Sequence, residues 1–143
     1  MKDTLDKIHK LMWNNFSYKT DLETSGNIEK WTPPTKELTQ LYVSALNNNV
    51  VIKGEFIGDC EDFAMLGRSI VKEVLPEADS RLVVCKDETG AGHCVLSVNG
   101  WIIDNRYDTV KSNVELQNIG YKWIAISGKD FGDDWFKIKQ KDN

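Results

Sequence analysis

Three side chains suited to nucleophilic catalysis stand in the order Cys60, His93, Asp104. A thiol attacks an acyl carbon as the thiolate, an imidazole takes and returns the proton, and a carboxylate fixes the imidazole's tautomer and orientation. The surroundings of the thiol pull the other way. Residues 58 to 64 read "GDCEDFA", which sets Asp59, Glu61 and Asp62 around Cys60. Neighbouring carboxylates raise a thiol's pKa and deplete the thiolate. Either Cys60 is inert, or something close by outweighs the acids.

The elements that must position these residues can be read from apolar spacing. From Asp59 onward, Phe63, Leu66, Ile70, Val71 and Val74 recur at helical intervals, and Pro76 stops the pattern. Asp59 is the expected N-cap, and Cys60 falls in the first turn. Unpaired backbone N–H groups and the helix dipole favour a thiolate there, and the N–H of Cys60 is one candidate oxyanion donor. A protonated His93 beside Cys60 would offset the acids further. Beyond residue 80 the period changes to that of strands, at 81–87, 92–98, 101–107, 121–127 and 135–140. Asn99-Gly100 is a two-residue hairpin signal. That turn sets Val98 opposite Trp101, Leu96 opposite Ile103 and Val95 opposite Asp104. His93 then shares a face with Asp104 on the diagonal, about 7 Å away at the backbone and within side-chain reach. Cys94, Leu96 and Ile103 share the other face. Each position alone also has a structural reading; their joint register points to chemistry.

The N-terminal part supplies helices. Leu5, Ile8, Leu11, Met12 and Phe16 mark one over residues 3–16. A polar loop follows, tied down by Tyr18 and Trp31. A second helix carries Leu38, Leu41, Tyr42, Ala45 and Leu46, with Thr32 as the expected cap, Pro33 or Pro34 in its first turn, and an Asn run at 47–49 ending it. Helices followed by an antiparallel sheet make an α+β domain, and 143 residues suit a single domain over 1–143. His9 falls on the polar side of the first helix and is expected to be solvated. Cys85 and Cys94 are expected core residues.

Bulk properties exclude several classes. A net charge of −4 argues against a nucleic-acid binder. Three irregularly spaced cysteines make no disulfide framework, and there is no C-x-x-C pair for zinc. No stretch approaches the roughly 20 apolar residues of a membrane span. The N-terminus lacks a signal-type apolar run, so the expected location is cytoplasmic, or periplasmic if a leader has been removed.

Taken in order, "NNFSYKTD" (14–21), "WTPP" (31–34), "GDCEDFA" (58–64), "GHCVLSV" (92–98) and "WIIDN" (101–105) resemble the bacterial transglutaminase-like cysteine proteinases, a branch of the papain-like superfamily. The resemblance implies a papain-like core with the nucleophile at a helix N-terminus packed on an antiparallel sheet. It implies Cys60 as nucleophile, His93 as base and acid, Asp104 as orienter, and hydrolysis of a peptide bond in a protein substrate through a thioester. It further implies calcium near the nucleophile, held by Asp59 and Glu61 with Asp62 as a third acid, and completed by loop carbonyls, water or a carboxylate such as Asp21. Bound Ca²⁺ would offset the acids around the thiol. The plainer reading, Asp59 as cap with Glu61 and Asp62 on the helix dipole, stays open. So do acyl transfer or deamidation on the same triad, and a binding module without turnover. The sequence departs from the family pattern in being shorter than the exported members, in the expected lack of their leader, and in Cys94 where a small residue is expected after the histidine. Trp31 reads as a cleft residue or a core residue.

Overall fold

The apolar stripe of helix α1 (Lys2–Asn15) comprises Leu5, Ile8 and Met12, all without solvent exposure. The computed structural model describes residues 1–19, 32–48, 51–52 and 56–139, so the expectations for Asp21 and Trp31 lie outside the described residues. Helix α2 (Lys36–Asn48) buries Thr39, Tyr42 and Ala45. Its cap is Thr35 and not the expected Thr32: the Leu38 N–H donates to Thr35 Oγ1 at 3.2 Å. A residue before proline is pushed out of the helical region, so Thr32 and Pro33 both stay extended and the helix begins only beyond Pro34.

Helix α3 (Cys60–Val74) is the most deeply buried of the helices among the described residues, with Phe63, Ala64, Met65, Leu66, Ile70 and Val71 in the core. It lies against α1, α2 and the sheet. Gly67 permits the close approach, since a Cβ there would stand 3.0 Å from Leu96 Cδ2 and 3.3 Å from Met12 Cε.

The sheet runs β6-β5-β4-β3-β7-β8, all antiparallel: β3 (Ser80–Lys86), β4 (Gly92–Val98), β5 (Trp101–Ile103), β6 (Lys111–Ser112), β7 (Lys122–Ser127) and β8 (Trp135–Lys137). Val98 pairs with Trp101 and Leu96 with Ile103, the register expected from the turn. Asn99 and Gly100 both hold positive φ, 50° and 90°, as a tight hairpin turn of this hand requires. Leu82, Cys94, Leu96, Val98 and Ile103 face the helices. Val83, Cys85, Val95 and Ile102 face the other way, onto Leu116 and Tyr121.

Three features differ from expectation. β5 is shorter and ends at Ile103, leaving Asp104 in a turn closed by the Tyr107 N–H on the Asp104 carbonyl at 3.3 Å. Helix α4 (Asn113–Ile119) interrupts the strands; Ser112 and Glu115 form its capping box, an S-x-x-E signal present in the sequence. A short parallel pair, β1 (Phe16–Tyr18) with β2 (Phe56–Gly58), lies apart from the main sheet. Among the described residues no helix is long and apolar enough to cross a membrane.

His9 is also a correction: it is fully buried, not solvated. It stands four residues after Leu5 and so joins the apolar stripe. Its Nε2 lies 2.6 Å from the Tyr107 carbonyl, its ring packs on Trp13 and Phe63, and Nδ1 is buried without a partner among the described residues. Burial pushes its pKa below the ordinary value. The folded protein therefore holds His9 neutral. Its contribution to stability is complete above about pH 6.5, where the unfolded chain is also neutral, and is lost as the pH falls through the folded pKa. His9→Gln keeps a donor for the Tyr107 carbonyl and removes the titration. Urea unfolding from pH 7.5 to pH 5 should lose stability more steeply in the wild type than in His9→Gln, by at most about 1.4 kcal/mol per pH unit for one proton. Parallel curves would contradict this.

Candidate functional site

Cys60 is the first residue of α3, and its position is set by a capping box. The Asp62 N–H donates to Asp59 Oδ1 at 3.4 Å, and the Asp59 N–H donates to Asp62 Oδ2 at 3.0 Å. Gly58 leaves room for this box: a Cβ there would lie 2.6 Å from both Cβ and Oδ2 of Asp62. The Gly58 carbonyl accepts from the Lys19 N–H at 2.7 Å, tying the end of β2 to the chain leaving β1. The Cys60 thiol points at Glu61 Oε2, 3.6 Å away. Burial, then Glu61 and Asp59, raise the thiol's pKa well above its ordinary range, against a lowering from the Cys94 N–H. With these groups alone, the sulfur is a protonated thiol at neutral pH.

His93 opens β4, and Asp104 follows β5. The register brings them together: His93 Nε2 lies 2.7 Å from Asp104 Oδ1, and both side chains are buried. Since an ionised carboxylate only accepts, Nε2 carries the hydrogen and Nδ1 of the neutral ring is left as the basic nitrogen. Asp104 Oδ1 also accepts the Arg106 N–H at 2.9 Å, an Asx-turn consistent with Asp-Asn-Arg after a strand. Asp104 Oδ2 accepts from the Tyr121 hydroxyl at 2.6 Å. Tyr121 and Arg106 are not apparent from the sequence, because Tyr121 reaches the pair only through tertiary packing, and Arg106 acts from a turn where a continuous strand over 101–107 is expected.

The structure thus bonds His93 to Asp104 directly and sets the Cys60 sulfur against the backbone of Cys94, the next residue in β4. Cys85 and Cys94 are core thiols, as expected. Burial pushes Cys85 up to about 12 and Cys94 well above its ordinary value.

Asp59 and Glu61 are each 7 % exposed. Their oxygens, with those of Asp62, are the hard donors Ca²⁺ takes, but the ion needs six to eight. The capping box engages one oxygen of Asp59 and one of Asp62. Among the described residues no group of three or more His, Cys, Asp or Glu side chains is arranged to hold a metal ion. The three acids fit calcium in donor type but fall short in number.

Comparison with known proteins agrees with this architecture. The profile of a family described as bacterial transglutaminase-like cysteine proteinase matches residues 38–143. The fold is similar to that of Legionella pneumophila LapG, with a TM-score of 0.63 at 19 % identity over 95 % of this chain and 68 % of that one. An EGTA-treated form of LapG gives 0.65 at 19 % identity, covering 99 % and 69 %. The calcium-bound form gives 0.64 at 20 % identity, covering 99 % and 71 %. No curated protein sequence matches the chain.

The capping box yields a prediction. Gly58→Ala places a methyl group against Asp62, so the cap must open or shift. The variant should lose at least the worth of a cap, about 1 kcal/mol, in urea unfolding measured in EGTA, where bound metal cannot contribute. Unchanged stability would mean that the box does not hold the start of α3.

Proposed function

The chain belongs to the bacterial transglutaminase-like cysteine proteinases, and on that premise we propose that it cleaves a peptide bond of a protein substrate through a thioester on Cys60, with His93 as base and acid and Asp104 as orienter. The observation that carries this reading is the buried 2.7 Å His93–Asp104 contact on the strand whose next residue meets the Cys60 sulfur.

Each residue has a defined task. With Nε2–H held on Asp104, His93 Nδ1 takes the thiol proton. The sulfur attacks the substrate carbonyl, and the N–H of Cys60, unpaired at the first position of a helix, stabilises the oxyanion. The imidazolium passes its proton to the leaving amine, which departs and leaves the acyl group on sulfur. A water molecule then gives a proton to Nδ1 and attacks the thioester, releasing the acid and restoring the thiol.

Asp59 and Glu61 oppose the first of these steps, because both disfavour negative charge on the sulfur. Asp59, Glu61 and Asp62 are the residues that would hold calcium, with further oxygens from the surrounding chain or water, and the bound ion would supply positive charge to offset them.

Alkylation by iodoacetamide at pH 7 tests the thiol. Cys60 should label faster than an ordinary free thiol, His93→Ala should slow it at least tenfold, and Cys60→Ser should remove both this labelling and all proteolysis. Labelling at the rate of a simple thiol, indifferent to His93, would leave a binding module on this scaffold instead. For the metal, melting should occur at higher temperature in calcium than in EGTA, the difference reaching about 2.7 kcal/mol at a hundred times the Kd. Coincident melts of metal-free protein would remove calcium from the account.

A further inference from the structure

We propose that Tyr121 is a positioning residue for the His93–Asp104 pair, with its hydroxyl proton directed onto Asp104 by Arg106. This inference rests on the proposed roles of His93 and Asp104 and adds a second tier behind them.

Two groups meet at the Tyr121 oxygen and define its bonding. Arg106 Nη1 approaches it at 2.9 Å, and Asp104 Oδ2 lies at 2.6 Å. A guanidinium has donors and no acceptor, so at this contact Arg106 donates and the phenolic oxygen accepts. The single hydroxyl hydrogen is then committed to Asp104. Were Arg106 absent, the hydroxyl could rotate away. Arg106 is itself held in place: its fork meets the Glu88 carboxylate at 2.7 and 2.5 Å, and Asp87 lies 3.6 Å away. Paired forks of this kind fix orientation as well as adding energy.

The consequence falls on the Asp104 carboxylate. His93 and the Arg106 N–H occupy Oδ1, and Tyr121 alone among the described side chains holds Oδ2. Bonds to both oxygens fix the carboxylate plane, where bonds to one would leave it free to swing. The imidazole orientation follows from that plane. The Tyr121 ring also packs edge-on against His93, with centroids 6.1 Å apart, so one side chain restrains both members of the pair.

The chain is shaped to deliver this ring. Gly120 ends α4 with φ at 120°, in the left-handed region, and the Tyr121 N–H returns to the Leu116 carbonyl at 3.0 Å. A Cβ at Gly120 would come within 3.3 Å of the Glu88 backbone, so this turn packs directly on the residue that anchors Arg106. Burial and the bond to Asp104 raise the Tyr121 pKa, so the phenol keeps its proton.

The sequence contains two histidines, so nitrogen–proton correlation spectra of ¹⁵N-histidine protein separate His93 from His9 with one assignment variant. In the wild type, His93 should appear as the Nε2–H tautomer with a downfield, slowly exchanging Hε2. In Tyr121→Phe, which keeps the ring and loses the hydroxyl, that proton should move upfield and broaden, and the tautomer should become mixed. Iodoacetamide labelling of Cys60 should slow several-fold in Tyr121→Phe, but not further when Tyr121→Phe is added to Asp104→Asn. A purely structural loss would not vanish in that background. Arg106→Gln should give a smaller change of the same kind, and it carries the test if Tyr121→Phe fails to fold. An unaltered His93 tautomer and Hε2 signal in the folded variants overturns the proposal. If that signal changes while wild-type labelling is indifferent to His93, the peptidase mechanism falls and the positioning of His93 by Tyr121 stands.

Discussion

A carboxylate taken out of water must have its charge met by donors, or the fold loses several kcal/mol. Asp104 is 1 % exposed, and much of the architecture around β4 and β5 answers to it. Its donors come from three separate places: the opening of β4, the turn after β5, and the residue that follows α4. The strand stops at Ile103 so that the carboxylate can leave the ladder and accept from the turn. The hairpin, the turn and the exit from α4 converge because one buried anion needs all of them.

The surroundings of Cys60, the proposed nucleophile, work in the opposite sense. Around Asp104, donors outnumber the charge. Around Cys60, acids dominate, and the same Asp59 that starts the helix disfavours the thiolate at its first residue. Secure helix initiation and an activated sulfur are competing demands on one turn. The helix terminus and the Cys94 N–H lean toward activation, while burial and Glu61 lean against it. The balance must be tipped from outside this short stretch, by the imidazole, by a cation, or by both.

Much of this was legible in the chain. Helical spacing in α1, α2 and α3 was strong because each buries one stripe of apolar residues. Asn99-Gly100 sets a register that puts His93 beside Asp104, because side-chain direction alternates strictly along a strand. Where polarity stood in for position, expectation failed. His9 looked solvated because histidine is polar, yet it lies on the apolar stripe of α1. Thr32 looked like a cap because it precedes two prolines, yet those prolines delay the helix. Helix α4 is short and its capping box was overlooked among strands. Tyr121 could not have been found, since it reaches Asp104 only through tertiary packing.

The two-residue turn has a consequence for how the site assembles. His93 and Asp104 are partners within a single hairpin, which closes a small loop and forms at low entropic cost. Cys60 takes up its own position only when α3 has docked on the sheet, through contacts between distant parts of the chain. The His93–Asp104 pair is therefore a property of a local unit, while the position of Cys60 depends on the whole core. A partly folded chain would carry an oriented imidazole and a stray thiol, so on the proposed mechanism hydrolytic competence would arrive last, with native packing, and not before it.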